Sequence, residues 1–339
     1  MKNSKLLLTS ALVGTVAMGV AAHAETKISG GATYTYSSLN GTSKAGNTQG
    51  AGKEVQIDIS KSAELDNGVG FSAGFSLEQD GGQTAFDGNE GNFMKFTSGN
   101  TSFMYNIDKA ANLSTSATPR ASTSINTMMA GINGSTSATS SNYDYSPGSQ
   151  AQQSAWNIEV AQKFDGGTAY LVYVPQQGDS GGLNDGVDSA VTGSSMDVIF
   201  KGNLGIDGLN LLAGHSKAEP ANSTLADLKA LQLGVGYNFG SIAVGVTRNK
   251  VDQTNSTDNT SMEYGITYAV NDKLTAGILH AVTDDSASGS SDEKISAIQV
   301  GYNLGALTVE AYGLEVENFQ GSATAANQEK FGLRLGTKF

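Results

Sequence analysis

Residues Phe331 to Phe339 alternate strictly. Phe331, Leu333, Leu335, Thr337 and Phe339 fall on one face of an extended chain, and Gly332, Arg334, Gly336 and Lys338 fall on the other. A period of two with one apolar and one polar face is the pattern of a half-buried β-strand. The constraint is that this pattern runs to the last residue, where soluble domains usually fray into polar tails. In hydrocarbon every backbone N–H and C=O needs a partner within the protein, so a membrane-crossing sheet must close on itself. A final strand of this kind is expected to pair with the first strand, Thr26–Ser37, and close a barrel.

The start of the chain names a compartment. Lys2 and Lys5 form a charged leader end, Leu6–Ala21 is mostly apolar, and Ala22-His23-Ala24 offers small residues at the two positions a signal peptidase reads. Residues 1–24 read as a secretory signal and 25–339 as the mature barrel. The apolar stretch is short for a membrane anchor, and no run of ~18 apolar residues follows Glu25. Cysteine is absent, so disulfides play no part. Lys2 and Lys5 leave with the leader, so 20 basic residues become 18 against 32 acidic, a formal charge of −14. That balance argues against nucleic acid, which needs basic surface. Apolar residues make up 38%, which is low for a large soluble domain but suits strands that face lipid on one side only.

Sixteen alternating segments read as strands: 26–37, 53–65, 69–79, 91–97, 101–107, 155–164, 168–175, 194–204, 208–217, 228–239, 241–251, 260–270, 273–283, 293–304, 306–317 and 328–339. An even number is expected of single-chain bacterial barrels. Their connections alternate between tight and long. Asp66-Asn67-Gly68, Ser98-Gly99-Asn100, Asp165-Gly166-Gly167, Gly205-Ile206-Asp207, Gly240, Asn271-Asp272 and Gly305 are tight, and Asn-Gly and Asp-Gly among them carry the chemistry of hairpin turns. Leu39–Gly52, Asp80–Glu90, Gln176–Gly193 and Asp284–Asp292 are long and rich in Ser, Thr, Asn and Gly. Short turns at one rim and long loops at the other is the asymmetry of outer-membrane barrels. Gly236-Tyr237-Asn238-Phe239-Gly240 also recurs as Gly301-Tyr302-Asn303-Leu304-Gly305.

Aromatic residues gather at strand ends. Tyr237, Tyr268, Tyr302, Phe164, Phe239 and Phe339 are expected to form a girdle at the short-turn rim. Tyr34, Tyr36, Tyr105, Trp156, Tyr173 and Tyr264 are expected to form one at the other rim. Such rings settle at the headgroup level; ordinary packing of strand aromatics is the competing explanation. Charges belong on the inward phase, because Arg or Lys facing lipid at the midplane costs ~2–4 kcal/mol. On this basis Glu54, Asp58, Glu159, Asp197, Glu263 and Glu310 point inward, as do Lys95, Lys163, Lys201 and Arg334. Segment 306–317 is ambiguous, being apolar on both phases.

The connection Asp108–Ser154 is far longer than any other and lacks a strand pattern, which marks a functional or disordered segment. With its leader, sixteen strands, outsized third long loop and terminal Phe339, the whole chain resembles the general porins of Gram-negative bacteria. It is most similar to their alphaproteobacterial branch. The resemblance implies a 16-stranded transmembrane β-barrel whose third loop folds into the lumen and narrows the pore. It implies a homotrimer passing small hydrophilic solutes by diffusion. It also implies outer-membrane lipid and lipopolysaccharide as surroundings, and a terminal aromatic, here Phe339, read by the outer-membrane assembly machinery. The Pro-Glu-Phe-Gly motif of enterobacterial members is absent. The third loop carries only Asp108, Lys109, Arg120 and Asp144 as charges, so the strong transverse field of those relatives is not evident.

Inward acids outnumber inward bases, so a weak preference for cations is expected; a nearly non-selective wall is the alternative. His215 and His280 are the mature chain's histidines and have no motif-level partners, which leaves no hydrolase triad or zinc site in the sequence. No cofactor is expected beyond loosely held Ca²⁺ at Asp284-Asp285 with Asp292-Glu293, or Asp87 with Glu90, where solvated charge is the plainer explanation. Two other functions stay open. One is a secreted or surface β-rich adhesin without a pore. The other is a substrate-specific channel lined by Tyr143 and Tyr145.

Overall fold

The computed structural model describes residues 25–40, 48–81, 87–106, 110–111, 118–121, 156–175, 177–178, 190–192, 194–219, 227–253, 258–285, 291–318 and 327–339. The expected secretory signal, residues 1–24, lies outside them. The strands are β1 Glu25–Asn40, β2 Thr48–Glu64, β3 Gly70–Asp80, β4 Asp87–Ser98, β5 Thr101–Asn106, β6 Asn157–Phe164, β7 Gly167–Val174, β8 Gln177–Gly178, β9 Ala190–Thr192, β10 Ser194–Gly202, β11 Leu209–Glu219, β12 Leu228–Asn238, β13 Ile242–Gln253, β14 Asn259–Ala269, β15 Leu274–Asp285, β16 Glu293–Asn303, β17 Leu307–Glu317 and β18 Gln328–Lys338. Sixteen of them form one closed antiparallel barrel, each paired with its sequence neighbour except that β7 pairs β10 and β1 pairs β18. The expected sixteen-stranded barrel is what the chain forms.

β8 and β9 make a separate two-stranded ribbon inside the connection read as the loop Gln176–Gly193. Other strands run further than their sequence pattern. β1 continues to Asn40 and β2 resumes at Thr48, within the expected loop Leu39–Gly52. β4 begins at Asp87, within the expected loop Asp80–Glu90. Beyond the apolar band both faces of a strand meet water, so pairing persists there without alternation.

The barrel is inside-out relative to a soluble domain. Along β12, Leu231, Leu233, Val235 and Tyr237 are exposed, while Gln232 on the other phase is buried. Glu159, Asp197, Glu263, Gln299 and Glu310 are buried as well. The exposed apolar phase is the outward one, and both proposed girdles lie on it: Tyr34, Tyr36, Tyr105, Tyr173 and Tyr264 near one rim, and Phe164, Tyr237, Phe239, Tyr268, Tyr302 and Phe339 near the other, are all exposed. Trp156 stacks on Tyr105 with ring centroids 4.6 Å apart.

The recurring Gly-Tyr-Asn-x-Gly segment is explained by its turn. Gly240 and Gly305 both have φ of 87°, a left-handed conformation open to glycine at no steric cost. Asn238 and Asn303 each accept a hydrogen bond from the N–H of that glycine, at 2.9 and 2.8 Å, an Asx turn. The tyrosine just before each asparagine faces out at the girdle. One five-residue unit therefore sets both a turn and a membrane anchor.

Segment 306–317 was ambiguous for a physical reason. Tyr312, Leu314 and Val316 on the inward phase of β17 join Leu279, Ala281, Ile295 and Ala297 in a buried apolar cluster inside the barrel. Leu307 faces outward on the same strand.

Closure runs past the last strand pair. Beyond the Gly31–Lys338 step of β1 and β18, Gly30 N–H donates to Phe339 O at 2.8 Å and Phe339 N–H donates to Gly30 O at 2.9 Å. The Phe339 ring lies over Gly30, where an added Cβ would come within 2.7 Å of it. Gly30→Val should displace that ring and cost about 1–3 kcal/mol of stability, the usual cost of overpacking. A lower urea midpoint for the folded barrel in lipid vesicles checks this.

Candidate functional site

The interior wall has two distinct charged sectors. On the β4–β10 side, Glu159 lies in the electrostatic range of Lys95 and Lys201. Its Oε2 accepts the N–H of Ala111 at 2.6 Å. Asp197, one strand pair further on, accepts from the Ser216 hydroxyl. On the β17–β18 side, Arg334 reaches Glu310 at 3.5 Å and donates to Thr33 Oγ1 at 3.2 Å across the closing seam. Asp58 accepts from Ser76 Oγ at 2.6 Å and from Gln56 Nε2 at 3.1 Å. Glu54 joins Glu78 and Asp80, with carboxylate oxygens within 4.8 Å of one another, the one group of three or more ligand-type side chains among the described residues that could hold a metal ion. Lys163 is exposed at the short-turn end of β6.

The third long connection leaves β5 at Asn106 and returns into β6 at Asn157. These two residues are buried, and Asn106 Nδ2 donates to Asn157 Oδ1 at 2.8 Å. The root of the loop is thus clasped. Ala111 is held by Glu159 on the neighbouring wall. The next described stretch, Thr118–Ala121, is bonded somewhere else entirely. Thr118 Oγ1 lies 3.1 Å from Thr247 Oγ1 on β13. Arg120 Nη2 lies 2.5 Å from Glu263 Oε2 on β14, with side chains 11% and 1% exposed. Ala121 N–H donates to Gln299 Oε1 on β16 at 3.0 Å. Going around the barrel from β5, β14 is seven strands away. That is almost the opposite wall of sixteen.

The wall is shaped to receive this stretch. Gly265 on β14, Gly277 on β15 and Gly301 on β16 make a diagonal row, since Gly265 is opposite Leu279 and Gly277 is opposite Gln299. A Cβ at Gly265 would overlap Thr118 and Pro119, and one at Gly301 would overlap the Ala121 carbonyl. A Cβ at Gly277 would sit 3.3 Å from Ala121 Cβ. The missing side chains are the space that the loop backbone fills.

Of the site residues expected from sequence, Arg120 is brought against Glu263 and Glu310 against Arg334, while Glu159 lies within electrostatic range of Lys95 and Lys201. Asp108, Lys109 and Asp144 lie outside the described residues, as do Tyr143, Tyr145 and the side chains of Asp87, Glu90 and Asp285. Asp284 and Asp292 are exposed, and Glu293 is buried on the inward phase. The sequence reasoning missed Thr118, Gln299 and the three glycines. Their signal was present, because all three glycines fall on the inward phase of adjacent strands. Glycine is so frequent here that the signal drowned.

The model of the Gram-negative porins matches residues 9–326. The chain belongs to the Gram-negative porin family. Its fold agrees: a mutant of Rh. blastica porin superposes with a TM-score of 0.62 at 17% identity, covering 93% of this chain and 100% of that one. A triple mutant of Rhodopseudomonas blastica porin gives 0.59 at 16%, with the same coverage. No curated protein matches the chain. Family and barrel together make this an outer-membrane porin.

The absence of cysteine allows a clean test of the loop seat. Ala121→Cys combined with Gly277→Cys should form a disulfide during export, since the Cβ positions lie near the usual disulfide spacing of about 3.8 Å. A faster-migrating, reductant-sensitive band on a denaturing gel is the expected outcome. Ala121→Cys paired with Gly31→Cys, on the far side of the closing seam, should not cross-link.

Proposed function

We propose that this porin is a water-filled channel for passive diffusion of small hydrophilic solutes and ions, weakly preferring cations. The observation that carries the reading is the closed barrel with a polar inner phase, onto which Thr118–Ala121 is bonded far from the loop's root. In this reading the third connection crosses the lumen and narrows it. Asp108, Lys109, Arg120 and Asp144 contribute its charges. Glu54, Asp58, Lys95, Glu159, Lys163, Asp197, Lys201, Glu263, Glu310 and Arg334 contribute those of the wall. Glu78 and Asp80 add to the acidic side. Glu263 and Glu310 have guanidinium partners, which damps the field and keeps the preference weak.

The porin works as a homotrimer in the outer membrane, reached by export on the leader Met1–Ala24. It sits among lipid and lipopolysaccharide and is assembled through its β18–Phe339 end. The large apolar outward band favours this reading over an adhesin without a pore, because such a surface needs lipid around it.

Single-channel recording of purified protein in a planar bilayer tests the pore. Defined conductance steps are expected, arriving in threes if the protein is a trimer, and a silent protein would overturn the reading. Arg120→Ala leaves Glu263 buried without its cation, a change that typically costs 3–5 kcal/mol. It should loosen the loop, raising conductance and open-channel noise. Deleting residues 115–141 should raise conductance further. The reversal potential across a KCl gradient should lie on the potassium side of zero.

A further inference from the structure

Charge on the inner wall is sorted by height. Five lysines lie on the inward phase near the short-turn rim: Lys27 on β1, Lys95 on β4, Lys163 on β6, Lys201 on β10 and Lys338 on β18. Each stands no more than three residues from the short-turn end of its strand. None of the five is buried, and none makes an ion pair among the described residues. The inward acids stand higher. Glu54 and Asp58 are ten and six residues above the short-turn end of β2, and Glu78 and Asp80 are eight and ten above that of β3. Glu54 and Asp80 are exposed, and Asp58 and Glu78 are half-buried.

The buried acids follow the same order. Glu159, Asp197, Glu263 and Glu293 lie five or more residues above the short-turn ends of β6, β10, β14 and β16. Glu310 stands low, but Arg334 is 3.5 Å from it. Lys330 is an inward base in the upper half and is buried. Glu25, Glu64 and the turn acids Asp66, Asp165, Asp207 and Asp272 lie at the rim below the lysines, where salt screens exposed charge beyond about 10 Å. The step between the two zones is short. Asp58 is opposite Ser76 and Lys95 is opposite Ser72, which places four residues of β3 between them, about 13 Å of strand. Lys27 is nearer, two residues below Ser29, the partner of Asp58.

We infer that the lumen is bipolar along its axis and that its preferred solutes are small zwitterions, amino acids and short peptides. They pass with the ammonium end toward Asp58 and the carboxylate end toward Lys27 and Lys95. An acidic zone gathers cations and a lysine zone gathers anions. A solute with one charge is favoured in one zone and opposed in the other. A zwitterion lying along the axis is favoured at both ends at once. The length fits, because an extended peptide spans about 3.5 Å per residue, so one to three residues bridge the step within reach of the lysine side chains. The same order of charge rectifies current in plain salt. With the long-loop side positive, K⁺ enters through the acids and Cl⁻ through the lysines, and both fill the junction. Reversing the potential drains both. The inference rests on the channel reading and names the solute class of that same lumen.

The test is uptake into proteoliposomes of four solutes of similar size: alanine, its cationic amide, anionic N-acetylalanine and neutral N-acetylalaninamide. Rates are taken relative to the neutral form. Alanine should enter about three-fold faster than either singly charged solute, the scale of one charge contact in high dielectric. Lys27→Gln with Lys95→Gln should remove that advantage and speed the cationic amide. A single wild-type channel in symmetric KCl should carry more current with its long-loop side positive, and the double substitution should flatten the difference. Alanine entering no faster than the singly charged forms would overturn the inference, as would an advantage that survives the double substitution or a symmetric wild-type current. Entry of the neutral form in those cases would leave the channel reading standing. Failure of all four solutes to enter would overturn the channel reading, and this inference with it.

Discussion

Everything in this porin follows from one rule: a backbone amide cannot be left unpaired in hydrocarbon, where each unsatisfied group costs several kcal/mol. A sheet meets that rule only as a ring. The ring in turn fixes the polarity of each strand face, because lipid wets the outside and the inside is left for polar groups. The Gly30–Phe339 pair is where the ring is completed. It shows how small residues and rings cooperate at such a seam, since the bare Cα of Gly30 lets the Phe339 ring lie flat against the barrel. Tyr312 over Gly332 repeats the device on the inner surface.

The interior is less uniform than the ring requires. The cluster from Leu279 to Val316 is apolar although it faces inward, and the glycine diagonal beside it is empty of side chains. Both are on the β14–β17 wall, the one to which Thr118–Ala121 is bonded. The wall is therefore differentiated: one side carries the charges of Lys95, Glu159, Asp197 and Lys201, and the other is contoured for contact with protein. Arg120 and Glu263 form the polar part of that contact. Burying such a pair is tolerable only with good geometry, so it acts more on position than on stability.

Much of this was legible in the sequence. Alternation in β6, β12 and β18 gave strand phase directly, and the Asn-x-Gly turns gave the hairpins. Glu159, Asp197, Glu263 and Glu310 were recognisable as inward because a carboxylate could not face lipid. Legibility failed where two environments swapped. The apolar inward phase of β17 looked like a second lipid face, because periodicity reports polarity and not side. The strand extensions at Asn40, Thr48 and Asp87 were hidden since water on both faces erases the period. The partners of Arg120 were beyond reach for another reason. Glu263 is 143 residues away in sequence, and nothing local specifies a contact made across the barrel.

The two-point attachment of the third connection has a mechanical side. A thin-walled cylinder resists axial load well but flattens easily into an ellipse. Ala111 is bonded to the β6 wall and Thr118 to the wall near β13 and β14, with seven residue steps between them. A chain of that length spans at most ~25 Å. That length is an upper limit on the distance between the two attachment points while both bonds hold. Beside its strand pairing, the barrel therefore carries a covalent limit on how far the β6 wall can part from the β13–β14 wall.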